Sequence, residues 1–267
     1  MITHKEVNKV AALHKLKDTQ VEKDYVLSWI LLGLSKNELL STILVFKGGT
    51  VLKKVYFEDY RFSEDLDFTL LDEKISNKSL IHEFESIYTF VKKEANISLK
   101  FKESETHESG SLVFYVNYQG PLQANLGSRD IKIDITRGEI LEFAIETRQV
   151  FMTYSDLPKK SFALQCYALS EVLIEKMAAL MGRTEPRDLY DFWYLTEHEG
   201  LRVSEHKGEF ECKAKNKEHE PKQFEQKVLA KEKNLSRDWE SKLRNQMAEL
   251  PKFADIFRRI KRHLKLY

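Results

Sequence analysis

The residues best placed to do chemistry lie in Arg61-Phe-Ser-Glu-Asp-Leu-Asp-Phe68, where Asp65 and Asp67 stand two positions apart in an apolar, β-branched run ending Leu66-Asp67-Phe68-Thr69-Leu70. On a strand, positions i and i+2 share a face, so the two carboxylates point the same way. Side by side they repel and would raise each other's pKa unless positive charge lies between them. A divalent cation meets that need: Mg²⁺ takes one or two protein carboxylates and completes its shell with water and phosphate oxygens. A bare Asp-x-Asp is more often a pair of surface aspartates matched with lysines. Here Arg61 and Ser63 precede it, and so does a glycine turn, Gly48-Gly49-Thr50.

That turn supplies the complementary half. Glycines admit a phosphate close to backbone amides, and a hydroxyl at a helix start adds a donor where the dipole already favours anions. The spacing is not that of a P-loop. Alone, Gly-Gly-Thr is more often a tight turn. A third acid, Asp134, sits in the alternating segment Ile131-Lys-Ile-Asp-Ile-Thr136, where the isoleucines take one face and Lys132 and Asp134 the other. A solvated outer face is the plain reading. The functional one sets Asp134 beside Asp65 and Asp67 as a third metal carboxylate, and three acids would hold two metal ions suited to phosphoryl chemistry.

The elements that must position these groups read as a mixed αβ half followed by a helical half. Thr19 to Leu34 has helical spacing at Val21, Tyr25, Trp29 and Leu32. A short strand enters the glycine turn at Val45, and one or two helical turns follow to Tyr56. After the carboxylate strand come a helix over 80–95 and strands at 97–101, 112–118 and 131–136, with a turn at 125–130. Past residue 155 helices dominate. Ser170 is the expected N-cap of a helix to Met181, and Pro186 opens another. Residues 202–238 are densely charged and read as a solvated helix or a loose excursion. A final amphipathic, basic helix carries Phe253, Ile256, Phe257, Ile260 and Leu264 on its apolar side. The expected boundary gives domains 1–155 and 156–267.

Bulk composition narrows the classes further. With 43 Lys+Arg against 42 Asp+Glu the net charge is +1, so any nucleic-acid contact needs a local patch. Cys166 and Cys212 are far apart and have no metal-ligand spacing with histidines. The longest apolar run, Tyr25 to Leu34, is too short to span a bilayer, and no signal peptide is visible. A cytoplasmic protein with no membrane partner is the expectation.

Taken in order, these motifs resemble the polymerase-β-like nucleotidyltransferase superfamily. More closely, Lys47-Gly-Gly-Thr-Val-Leu52, Arg61-Phe-Ser-Glu-Asp-Leu-Asp67, Glu175-Lys-Met-Ala-Ala-Leu180 and Arg187-Asp-Leu-Tyr-Asp191 resemble the AbiEii/AbiGii toxin family, whose amino-terminal helix is matched by Val21-Glu-Lys-Asp-Tyr25. The matches span roughly residues 20 to 195. Two departures stand out: the gap from Gly49 to Asp65 is slightly longer than the superfamily pattern, and Thr50 replaces the serine of many relatives.

The resemblance implies an α+β nucleotidyltransferase core, a mixed sheet with flanking helices, followed by a helical domain that completes the site. It implies Mg²⁺ (or Mn²⁺) on Asp65 and Asp67 and an NTP substrate held by Gly48, Gly49, Thr50, Arg61, Ser63 and Arg187. Lys176, Asp188 and Asp191 would act from the helical half. On the residues alone, Lys176 is nearly as well read as a lysine snorkelling from a helix edge. Of Asp188 and Asp191, one is expected to serve the helix start and the other to orient Lys176 or Arg187. Family members are toxins of toxin–antitoxin and phage-defence systems, and some transfer nucleotides onto tRNA ends. The expected activity is therefore NMP transfer from an NTP to RNA, tRNA included, or protein, with a cognate antitoxin as partner. The alternatives are a silent nucleotide- or partner-binding module of the same fold and a metal-dependent nuclease.

Overall fold

The computed structural model describes residues 1–157 and 161–266. The chain forms two compact units, one of Met1–Glu139 with Ile145–Cys166, the other of Ile140–Ala144 with Tyr167–Tyr267. The division falls after Cys166, not near residue 155, because a strand at Ala163–Cys166 still belongs to the sheet.

Unit 1 holds a seven-stranded sheet. Its strands are β1 (Leu44–Lys47), β2 (Leu66–Leu70), β3 (Ser98–Thr106), β4 (Leu112–Gln119), β5 (Asp130–Thr136), β6 (Glu146–Gln149) and β7 (Ala163–Cys166), in the spatial order β3-β4-β5-β2-β1-β7-β6. β2 runs antiparallel to β1 and parallel to β5. The carboxylate strand is thus central, and Leu66, Phe68 and Leu70 are buried. β5 shows the alternation its sequence predicts, with Ile131, Ile133 and Ile135 fully buried. β3 is an edge strand whose lysines and glutamates discourage further pairing.

Helices α1 (His4–His14), α2 (Asp18–Lys36), α3 (Leu40–Ile43) and α5 (Asn77–Ala95) also belong to this unit. Between β1 and β2 comes α4 (Gly48–Val51), which continues as a π-helical turn over Leu52–Tyr56. Residues of α2 brace the turn and the sheet. Asp24 accepts from Lys54 Nζ at 2.7 Å and from Tyr154 Oη at 2.7 Å. Glu22, fully buried, accepts from the Leu122 amide at 2.7 Å and pairs with Arg129. Carboxylates this deep persist only when paired and hydrogen-bonded. The Val21–Tyr25 motif is therefore a scaffold for the residues that follow.

Unit 2 is helical: α6 (Leu169–Gly182), α7 (Pro186–Trp193), α8 (Lys207–Asn216), α9 (Phe224–Ala230), α10 (Glu232–Leu243) and α11 (Phe253–Leu264). Pro186 opens α7 as expected. Ser170 is not the N-cap of α6. The helix starts two residues earlier than expected, at Leu169 behind Ala168, and the Ser170 hydroxyl lies 3.2 Å from His206 Nε2.

The 202–238 stretch is neither loose nor a bare solvated helix. Its few apolar residues fall at helical spacing, so Phe210 and Ala214, Phe224 and Val228, and Leu235 all reach the core. Phe210 and Phe224 meet edge to face, ring centroids 5.0 Å apart. On α11, Ile256, Phe257, Ile260 and Leu264 are buried and the arginines and lysines face outward. Among the described residues no helix is long and apolar enough to cross a membrane.

Candidate active site

The site in unit 1 is built by register. Lys47 on β1 stands opposite Asp67 on β2, which stands opposite Asp134 on β5. Directly opposed residues on neighbouring strands project from the same face, so these three side chains form a row across the sheet. Asp65 immediately precedes β2 and its first paired residue Leu66, as Lys132 precedes Ile133 on β5. All three aspartates are partly exposed, flanked by buried apolar neighbours that fix the strand.

Gly48 closes over this row. Its φ is +76°, a left-handed conformation that favours glycine, and a Cβ there would overlap the Asp67 carboxylate, with Asp67 Cγ at 2.9 Å. The glycine is required twice, for its backbone angle and for the space Asp67 occupies. Next to it Thr50, 1% exposed, spends its hydroxyl within the protein. Its Oγ1 lies 2.5 Å from the Asp65 carbonyl, to which it donates, and 2.7 Å from Ser63 Oγ. Gln20 reaches the Ser63 carbonyl at 3.4 Å. Thr50 and Ser63 thus tie the glycine turn to the carboxylate segment. Arg61, 3% exposed, bonds the Phe62 carbonyl and lies against the Tyr60 ring.

The long gap between Gly49 and Asp65 includes the π turn, closed by Phe57 N–H donating to the Leu52 carbonyl at 2.8 Å. Such turns insert an extra residue into a helix and recur at functional sites.

Lys132 is the residue that sequence reasoning passed over. Burial alone would lower its pKa. The hydrogen bond to Asp134, Nζ to Oδ2 at 3.0 Å, and the fields of Asp134, Asp67 and Asp65 outweigh burial and hold the pKa above its ordinary value. The signal was its i, i+2 spacing from Asp134 on a strand face; that β5 lies beside β2 was not readable. On the other flank Lys47 lies 3.8 Å from Glu139. The donor set suits a hard divalent cation, since carboxylate oxygens line the row with no thiol or imidazole among them.

In unit 2, Lys176 on α6 reaches Asp188 Oδ1 and Asp191 Oδ2 on α7, both at 2.8 Å. Arg183 adds a forked contact to Asp188, Nε to Oδ2 at 2.6 Å and Nη2 to Oδ1 at 3.0 Å. Lys176 is 7% exposed, Asp188 1% and Asp191 fully buried. For Asp188, burial pushes the pKa up, but Lys176 and Arg183 outweigh it and hold the carboxyl below the usual aspartate range. Both aspartates therefore orient Lys176, where one had been expected to. Arg187 is held by Glu185 at 3.3 Å and not by Asp188 or Asp191.

A mixed sheet with paired aspartates on a central strand and a glycine turn folded over them defines a nucleotidyltransferase. The chain belongs to the AbiEii family, described as "Nucleotidyl transferase AbiEii toxin, Type IV TA system", which it matches over residues 29–259. Among solved structures it is similar to MenT4, a nucleotidyltransferase toxin from Mycobacterium tuberculosis H37Rv, with a TM-score of 0.62 and 16% identity over 100% of this chain and 89% of that one. A protein from H. pylori described as a candidate nucleotidyltransferase gives a TM-score of 0.57 at 17% identity, over 92% of this chain and 94% of that one. At such identities the likeness speaks for the fold. No curated protein sequence matches the chain.

Proposed function

We propose that this toxin transfers a nucleoside monophosphate from an NTP to an RNA acceptor, a tRNA end being the leading candidate and a protein hydroxyl the other, in a reaction that requires Mg²⁺ or Mn²⁺. The observation that carries the reading is the packing of Gly48 on Asp67, which sets a helix start beside the carboxylates of Asp65 and Asp67. The amides of Gly48, Gly49 and Thr50 begin that helix, where backbone donors and the dipole suit phosphate oxygens. A divalent ion on Asp65 and Asp67 would polarise the α-phosphate and offset charge on the leaving oxygen.

The acceptor hydroxyl attacks in line, its oxygen forming the new bond to the α-phosphorus as the bond to the bridging oxygen breaks. Pyrophosphate leaves, and the hydroxyl proton passes to solvent or a nearby carboxylate. Arg61 and Ser63 support the carboxylate segment in this reading. Lys176, held by Asp188 and Asp191, presents a fixed positive charge of the kind that stabilises a triphosphate, with Arg187 near it in sequence. The type IV toxin family implies a cognate antitoxin that restrains the activity in the cell, and phage defence is the setting this reading favours.

The test is incubation of the protein with each α-labelled NTP, total RNA and Mg²⁺, beside Asp67→Asn. Label appearing in RNA or protein, and a loss of at least about a thousandfold in the variant with its fold retained, is the expected result. RNA shortened without label would replace transferase by nuclease. Nucleotide bound without transfer to any acceptor would make the chain a silent binding module.

A further inference from the structure

The two sides of β2 differ. On one side lies β1, which leads directly into Gly48 and the start of α4; on the other lie β5 and then β4. In phosphoryl transfer the attacking and leaving oxygens stand roughly in line on opposite sides of the phosphorus. With the leaving phosphates at the glycine turn, the acceptor hydroxyl must come to the carboxylates from the β5 side. That side has a hollow of about 350 Å³, all of it within unit 1. Its walls include Thr19, Gln20 and Lys23 of α2, with Arg129 and Asp130 where β5 begins.

Two links tie the hollow to the carboxylates. Asp130, Lys132 and Asp134 alternate with buried isoleucines, so they line one face of β5, with about 13 Å of strand from the first to the last. Glu64, which also lines the hollow, directly precedes Asp65, and Gln20 holds the Ser63 carbonyl at 3.4 Å. Charge then decides what the hollow takes. The Arg129 guanidinium is paired with the fully buried Glu22, and Asp130 with Lys102 at 3.0 Å. Glu64 has a partner of its own. Lys23 differs: it is half-buried, and among the described residues no carboxylate lies within ion-pair distance of its ammonium. A lysine in a polar hollow with no acid at its head suits an anion such as phosphate. The Thr19 hydroxyl and Gln20 amide beside it are of the kind that hydrogen-bond ribose and phosphate oxygens.

We propose that this hollow is the acceptor subsite: it takes the terminal nucleotide of an RNA strand, with that nucleotide's phosphate on Lys23 and its free hydroxyl directed to Asp65 and Asp67. The proposal rests on the transferase reading above and deepens it by choosing RNA over a protein hydroxyl. A serine, threonine or tyrosine side chain brings a hydroxyl to the carboxylates but no phosphate to Lys23. An RNA end brings both, joined by a ribose that the polar walls of the hollow can bond.

The experiment measures equilibrium binding of a fluorescein-labelled single-stranded oligoribonucleotide to the full-length protein, without NTP, over a range of salt concentrations. Binding of each NTP in the presence of Mg²⁺ is measured alongside, and thermal unfolding accompanies each variant. Lys23→Gln should weaken RNA binding by about fivefold and lower the salt slope by about 0.7, the loss of one phosphate contact on a single strand. Lys23→Arg should keep the slope, and NTP affinity should stay within about twofold of the wild type in both, since neither change touches the triphosphate's donors. Thr19→Asp supplies a second arm in case Lys23→Gln perturbs folding. Thr19 is exposed in the first turn of α2, where an acid suits the helix dipole, so the fold is kept while RNA binding drops.

Unchanged RNA affinity and salt slope in Lys23→Gln and Thr19→Asp would overturn the proposal. So would a fall in NTP affinity with RNA binding intact, which would give the hollow to the nucleotide, or a wild type that binds no RNA and labels protein. RNA bound through Lys23 by a wild type that transfers nothing would refute the transferase reading and keep the hollow as an RNA site, so the two failures are told apart.

Discussion

On β5 the ammonium of Lys132 bonds Asp134 and feels the fields of Asp67 and Asp65, and all three aspartates are partly exposed. In unit 2, Lys176 pairs with both Asp188 and Asp191 and Arg183 pairs with Asp188, with side-chain exposures of 1% and 0% for the two acids. The first cluster stays open to solvent, so its side chains have room to rearrange. In the second, the two buried carboxylates hold Lys176 between them. The difference separates a solvated cluster that can rearrange from a buried one that holds its lysine still.

The sharpest way to break that contrast is Lys176→Met. Removing the cation shared by two buried carboxylates should cost about 3–5 kcal/mol of stability, read by denaturant unfolding, and should weaken NTP binding or turnover by about a hundredfold in protein that remains folded. A variant as stable as the wild type and fully active would show that Lys176 is an edge lysine. Gly48→Ala probes the open cluster from its roof. Left-handed strain and the overlap with Asp67 should cost about 1–3 kcal/mol, and transfer should fall by about a hundredfold because Asp67 must move.

Acid separates the clusters without mutation. The folded-state pKa of Asp188 lies below its unfolded value, so its contribution is present above the ordinary aspartate pKa and is lost as pH falls through the folded one. Unfolding free energy should therefore drop on the acid side of about pH 4, with a shallower slope in Asp188→Asn. The smallest effect is expected at Ser170→Ala. With no cap to lose, stability should change by less than about 0.5 kcal/mol, against about 1 kcal/mol for a true N-cap.

How much of this was legible in the sequence depended on how local the cause was. Leu66–Leu70 was readable as a strand because β-branched and aromatic residues alternate with the carboxylates. Pro186 marked a helix start by its own backbone constraint. The short strands β6 and β7 escaped notice because four residues carry too little periodicity, and β7 displaced the expected boundary at residue 155. Within the site, Asp65, Asp67 and the glycines were visible as a motif. That Asp134 with its partner Lys132 lies on the strand beside Asp67, and that Thr50 is bonded to Ser63, follow from strand register and a π turn, which no local pattern encodes. The 202–238 helices were misjudged because charge density was weighed over the sparse apolar spacing that packs them.

The five residues Ile140–Ala144 belong to unit 2 although strands of unit 1 both precede and follow them. They are fastened by Glu171, whose Oε2 accepts the amides of Glu142 and Phe143 at 2.8 and 2.9 Å, and by Lys213, which donates to the Ile140 carbonyl at 2.5 Å. During synthesis the ribosome delivers every strand of the sheet by residue 166, while this segment waits for anchors encoded 29 and 73 residues further along. A nascent chain halted between those points would hold a paired sheet and an untethered loop next to Glu139, the partner of Lys47. The last fastening of the β5–β6 connection thus draws on residues that follow the whole sheet in sequence.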